Sequence, residues 1–296
     1  MWYGAHMGNS NITDADIALF RRANFKAAKL MWYHGANEVA WLRDSGCEFF
    51  VVRLRDLMEL RRPDGSLPPW EEWADVTVQD INRFVALGIL NFQWGCETND
   101  AGKFGSFGAW TYRFYAIRAF PRVRQNIPPQ VRLGLVPLSH ATTANPENWR
   151  NVLKVPLDGS ERAEPWAMGR SGSLVDWHDV VCVDSYWQWP RQITRDDLGG
   201  SAAFYHIWSG GKPIWVAEWA SSDTDLNPRP TDPEIEQAMV EEYPIWLTWA
   251  QGQPYIEAAF VWIVGGTPDW SGFRVTGRVA DAMSLAMRPI RRGVIR

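Results

Sequence analysis

Two glutamates, Glu97 and Glu218, each follow a run of apolar and aromatic residues, in ILNFQWGCETND (residues 89–100) and in PIWVAEWASS from Pro213. A buried strand ordinarily stops at a turn residue or a cap; these two deliver a carboxylate instead. Two carboxylates that face one another can divide labour. One kept protonated donates to a leaving oxygen, while the other, held ionised by a cation such as Arg53, attacks carbon. Each glutamate also has a structural reading: Glu97 as a loop carboxylate paired to a surface cation, and Glu218 as half of a buried ion pair with Arg53. Their joint position at two strand ends favours the chemical reading.

The elements that would position them recur along the chain. Eight short runs rich in Val, Ile, Phe and Trp are strand-length: WYGAHMG, AKLMWYHG, FFVVRLRD, ILNFQWGCE, VRLGLVPLSH, VVCVDSYW, PIWVAEWA and AAFVWIVGG. Helix-start chemistry lies between them. Thr13 with Asp16, Thr77 with Asp80 and Thr194 with Asp197 read as capping boxes, Asn37 and Asn145 as N-caps, and Pro233 as a first-turn residue. Gly46 and Gly88 stand where a left-handed residue ends a helix before the next strand. Strand and helix alternating over residues 1–296 predict one α/β domain, a closed (β/α)8 TIM barrel. An open doubly wound sheet would want a glycine-rich phosphate loop after the first strand, and NSNITD stands there.

Composition narrows the partners. The net charge of -4 offers no basic excess to neutralise phosphates, so nucleic acid is not expected. No apolar segment approaches a membrane span, and the amino terminus has no basic region followed by an apolar stretch, which predicts a soluble chain, cytoplasmic or with its leader removed. Cys47, Cys96 and Cys182 are too few and too widely spaced for a disulfide framework or a zinc site, and read as buried small hydrophobes. The 19 tryptophans exceed the usual need of one core, and flat rings with a donor at the edge suit the faces of sugars.

In a barrel of this kind function gathers at the C-terminal strand ends. There lie His6, His34, Arg53 with Arg55, Glu97, His140, Asp184 with Tyr186, Glu218 and Trp262, in strand order. The histidines read as sugar-pocket donors or as metal ligands; a metal site wants a paired HxH on the first strand, and AHMG has a single His. His178 and His206 read as ordinary surface or helix residues. Trp94, Trp187, Trp189, Trp219 and Trp262 read either as core or as stacking subsites, and Trp70, Trp73 and Trp110 as loop residues that extend the cleft or anchor it. A glycosidase pair of carboxylates stands about 5–5.5 Å apart in retaining enzymes and wider in inverting ones.

WGCETN and KPIWVAEWASS resemble the acid/base and nucleophile strands of clan A of the retaining glycoside hydrolases, with support from VVRLRD, VDSYW and FVWIVGG. The resemblance implies a (β/α)8 fold, hydrolysis of β-linked glycosides or polysaccharides, and no metal or other cofactor. Glu97 would be the acid/base, Glu218 the nucleophile, Arg53 the cation that keeps it ionised, Tyr186 a hydroxyl bonded to it, and Trp262 the floor of the sugar site. His6, His34, His140, Asn99, Trp187 and Trp219 complete the expected substrate-binding set. One position departs from the pattern. Most members carry Asn immediately before the acid/base, where it bonds the sugar 2-hydroxyl; here Cys96 stands there. A thiol is a weak partner, so that contact would pass to a neighbour such as Asn91, Asn99 or His140. A carbohydrate-binding barrel without turnover and a metal-dependent hydrolase are the other function classes weighed. The expected partner is a carbohydrate, and the sequence carries no signal for oligomeric state.

Overall fold

The computed structural model describes residues 1–8, 11–96, 108–138, 146–187, 193, 199–221, 231–265 and 274–287. Eight parallel strands close into a barrel in chain order: β1 (Trp2–His6), β2 (Ala27–Met31), β3 (Phe49–Arg53), β4 (Asn91–Gln93), β5 (Arg132–Leu135), β6 (Val180–Trp187), β7 (Ile214–Ser221) and β8 (Ile256–Val261). Each overlaps one of the eight apolar runs. The described helices are α1 (Asp14–Arg22), α2 (Ala36–Asp44), α3 (Trp70–Val85), α4 (Ala109–Gln125), α5 (Pro146–Leu153), α6 (Gly159–Ala163), α7 (Leu174–Trp177), α8 (Ser201–Trp208), α9 (Asp232–Gln251) and α10 (Gly277–Ala286).

Local chemistry explains where the helices begin and end. Thr13 caps α1 through a reciprocal box in which Asp16 does the work of the usual Glu, its carboxylate accepting the Thr13 N–H at 2.9 Å. Pro233 lies in the first turn of α9, and Gly46 and Gly88 take φ of +88° and +75° at helix exits. Two expected starts are corrected. Helix α3 begins at Trp70 behind Pro69, with Glu71 and Glu72 in its first turn, so Thr77 and Asp80 are buried mid-helix residues. Helix α2 is capped by Gly35, which leaves Asn37 inside the first turn. Trp70 and Trp73 therefore belong to α3 and Trp110 to α4. Asn145, Thr194 and Asp197 lie outside the described residues.

Side-chain alternation sorts the interior into two layers. Ala27, Val51, Val180, Cys182, Trp215, Ala217, Ala258 and Phe260 form a cluster of their own, the filling of the barrel. Residues of the same parity, Lys29 on β2, Arg53 on β3, Asp184 on β6 and Trp262 beyond β8, continue toward the C-terminal mouth. The opposite faces pack on the helices. There Trp219 stacks on Trp246 at 4.3 Å between ring centroids, and Trp187 lies 6.1 Å from each of them. His178 is corrected from a surface residue to a core one: it is buried against Phe120 and Trp94, and burial pushes its imidazole down to about 3. His206 is in α8, stacked on Tyr255.

Strand β7 contains the irregularity on which the site depends. Against β6, Val183 pairs with Val216 but Asp184 pairs with Glu218, and β8 counts the same extra residue between Val216 and Trp219. Ala217 is thus the extra residue of a β-bulge. Strict alternation after the inward Ala217 would turn Glu218 outward; the bulge resets the parity so that Glu218 faces into the barrel and Trp219 into the helix layer.

Close approach of β1 and β2 requires Gly4, since a Cβ there would stand 1.7 Å from the Ala27 carbonyl oxygen. Gly4→Ala is expected to lower stability by about 1–3 kcal/mol, read as a fall in the urea midpoint. An unchanged midpoint would contradict the packing described for these strands.

Candidate active site

Glu218 sits at the barrel mouth with 4% of its surface exposed. Its Oε1 accepts from Lys29 Nζ at 2.8 Å, and its Oε2 accepts from the Tyr186 hydroxyl at 2.7 Å. Lys29 is fully buried and also donates to the carbonyl of the bulged Ala217 at 3.2 Å. A buried carboxylate needs partners for its charge, and here β2 and β6 supply them from opposite sides of the barrel.

Lys29 was not among the residues singled out from the sequence. The direct cationic contact to Glu218 was expected from Arg53, and this is corrected. Arg53 forms an ion pair with Glu59 at 3.1 Å and donates to the Met31 sulfur at 3.7 Å. Its influence on Glu218 is through the field alone. The available signal was parity: a lysine between two inward positions of a barrel strand, Ala27 and Met31, has no solvent to reach.

His6 approaches Glu218 with Nε2 3.8 Å from Oε1 and meets Trp262 edge to face at 4.4 Å. Burial, with Lys29, Arg53 and His34 adding to it, holds the His6 imidazole well below its ordinary range. The approach is therefore that of a neutral ring, not of an ion pair. His34, also buried, accepts the Met31 N–H through Nδ1 at 3.0 Å; in its neutral form this places the remaining proton on Nε2. Trp262, 6% exposed, donates its backbone N–H to the Trp219 carbonyl, and the peptide that follows it is cis.

On the opposite wall the turn Trp94–Gly95–Cys96 is fixed from three sides. Asp56 accepts the Cys96 N–H at 3.0 Å and the Met58 N–H at 3.1 Å, and Gln93 donates to the Gly95 carbonyl at 2.8 Å. Gly95 has φ +82°, and a Cβ there would lie 3.3 Å from the Asp56 carboxylate. Trp94 anchors the turn from behind, stacked on Phe120 at 5.3 Å. Burial raises the Asp56 carboxyl, opposed by these backbone donors and by Arg53. The next residue in the chain is Glu97. Glu97, Asn99 and His140 lie outside the described residues.

The structure thus brings together Glu218, Tyr186, His6, Arg53, His34 and Trp262 at one end of the barrel. It does not bring Trp187 and Trp219 there. Both are fully buried in the indole stack behind the wall, and Trp187 donates to Glu242 at 2.6 Å, so the expectation of sugar contact is corrected to core packing. Trp73 and Trp94 are core as well. Asn91, weighed as a substitute for the missing Asn, stands at the start of β4 and donates to the Phe50 carbonyl, away from the mouth. All three cysteines are buried, and none is joined in a disulfide. Among the described residues no three His, Cys, Asp or Glu side chains gather as a metal site requires, and no helix is long and apolar enough to cross a membrane.

Comparison with solved structures gives the fold. A curdlan-specific exo-β-1,3-glucanase of GH128 (subgroup III) from Blastomyces gilchristii aligns over 95% of this chain and 97% of its own, with a TM-score of 0.55 and 16% identity. A GH128 (subgroup I) endo-β-1,3-glucanase from Amycolatopsis mediterranei, crystallised with laminarihexaose, aligns over 96% and 97% with a TM-score of 0.56 and 12% identity. A glucosidase from Croceicoccus marinus aligns over 96% of this chain and 65% of its own, with a TM-score of 0.62 and 10% identity. The chain has the barrel fold of these glycoside hydrolases. No protein-family model and no curated protein matches the sequence.

The electrostatics of the site predict that His6 does not titrate between about pH 5 and about pH 8, where a free imidazole would. Heteronuclear NMR of imidazole-labelled protein should find its nitrogens unshifted across that range. A midpoint in the ordinary imidazole range would contradict the neutral assignment.

Proposed function

We propose that the chain is a retaining glycoside hydrolase acting on β-linked glycosides or polysaccharides. The observation that carries this reading is the state of Glu218: an inward carboxylate on a bulged strand at the barrel mouth, gripped by Lys29 and Tyr186. Glu218 attacks the anomeric carbon while Glu97 gives its proton to the departing glycosidic oxygen. A glycosyl ester on Glu218 results. Water then adds to the same carbon, Glu97 takes its proton, and the ester bond breaks. The role of Glu97 rests on its place in the chain, immediately after a turn that Asp56 and Gln93 hold.

The remaining described groups fit a sugar. Trp262 brings an indole to the mouth, and neutral His6, 3.8 Å from Glu218, meets that ring edge to face. Glucans with β-1,3 linkages are the first substrates to assay, because two of the neighbouring barrels are described as β-1,3-glucanases.

With an activated aryl β-glycoside, Glu218→Ala is expected to lose about 10⁴-fold or more of kcat, and added azide to restore turnover as the inverted α-glycosyl azide. A folded variant that azide does not rescue would count against the assignment. Glu97→Ala should still release a good leaving group but turn over slowly, since deglycosylation loses its base.

A further inference from the structure

We propose that Lys29 governs the second half of the reaction, by making Glu218 a good leaving carboxylate when the glycosyl ester is hydrolysed. The inference rests on Glu218 being the nucleophile. Lys29 is placed for the role in two ways. Its Nζ touches the Oε1 of Glu218 at 2.8 Å, and its second bond, to Ala217, holds the extra residue that turns Glu218 inward. With Lys29 fully buried, no water screens the attraction.

No other described group duplicates this charge at the carboxylate. From β1, His6 is neutral; from β3, Arg53 is paired with Glu59. From β6, Tyr186 contributes a neutral hydroxyl on the other oxygen, and burial keeps the Cys182 thiol protonated. Asp184, also from β6 and in register with Glu218, adds a carboxyl whose negative form would make an ionised Glu218 harder to sustain. Trp262, beyond β8, is uncharged. Among the described residues Lys29 is the one cation in contact with Glu218.

Charge bookkeeping then separates the two steps. In glycosylation a Glu218 oxygen forms a bond to the anomeric carbon, its negative charge is consumed, and the leaving oxygen departs with the proton of Glu97. Attraction to Lys29 is lost, so the ammonium mildly opposes this step. In deglycosylation the carbon–oxygen bond to Glu218 breaks, the electron pair returns to the carboxylate beside Lys29, and water is added with its proton taken by Glu97. The ammonium favours this step. Without it Glu218 becomes more basic: it ionises at higher pH, bonds carbon at least as well once ionised, and leaves slowly.

The test compares Lys29→Met and Lys29→Arg with the unaltered chain, using dinitrophenyl β-glucoside, stopped-flow release of dinitrophenolate and a pH profile of kcat/KM. Lys29→Met is expected to move the acid limb upward by about one to three pH units. Above that limb, kcat should fall by up to about tenfold for each unit moved, while kcat/KM changes little and a burst of dinitrophenolate reports accumulated glycosyl-enzyme. Lys29→Arg, which keeps the charge, should keep the acid limb of the unaltered chain. A folded Lys29→Met that loses kcat and kcat/KM in equal measure, with no burst and no displaced limb, would reduce Lys29 to a packing role and overturn the proposal. If Lys29→Met does not fold, Lys29→Arg decides: an acid limb displaced despite the retained charge overturns it. Full activity of Glu218→Ala would instead remove the functional reading, and the proposal with it.

Discussion

A negative charge inside a protein barrel must be answered by the barrel itself, and the pairing of Glu218 with Lys29 and Tyr186 is that answer here. It dictates much of the surrounding structure. The lysine has to come from an inward position of β2, the hydroxyl from an inward position of β6, and the carboxylate from a strand that breaks its own alternation. The bulge at Ala217 satisfies the last condition, and the Ala217 carbonyl is itself one of the ligands of Lys29. Geometry and electrostatics are therefore fixed by one set of contacts, in which removing the ammonium would loosen the bulge and leave the carboxylate under-partnered.

The tryptophans support this arrangement mostly from behind. Trp187, Trp219 and Trp246 form a stacked layer between β6, β7 and α9, so the residues on either side of Glu218 in the strand wall are clamped to a helix. Trp94 and Trp73 do the same for the turn before Glu97, with Phe120 and His178 closing the cluster. Trp262 stands at the mouth in edge-to-face contact with His6, which itself approaches the Glu218 carboxylate. The abundance of tryptophan is in large part a means of making strand ends rigid, which is what a site requiring fixed carboxylate geometry needs.

How much of this could be read in advance differs by level. Strand runs were legible because a barrel strand is apolar on both faces, and all eight overlap observed strands. The position of Glu218 was legible because a carboxylate in the apolar run PIWVAEWA has to find polar partners where the strand opens, and Lys29 and Tyr186 meet it there. Lys29 is hidden in the sequence because it is not a strand-end residue: its long side chain starts one inward position before Met31 and reaches the mouth with its stem. Trp219 faces the helix layer because the bulge shifts parity between Ala217 and Glu218, and nothing in the residue types announces an insertion into the ladder; Trp187 faces it by plain alternation, one residue after the inward Tyr186 of β6. At α3 two signals compete: Thr77 and Asp80 have capping-box spacing, but the two prolines before Trp70 and the acidic first turn mark the true start.

The central claim is that Glu218 forms a bond to the sugar, and a trapped intermediate tests it most directly. A 2-deoxy-2-fluoro-β-glycosyl fluoride slows both steps through the electron-withdrawing fluorine but keeps a good leaving group, so the covalent ester should accumulate. Peptide mapping of the labelled protein by mass spectrometry is predicted to find the fluorosugar on the peptide containing Glu218, at that residue. A label on any other carboxylate, with Glu218 unmodified, would contradict the account.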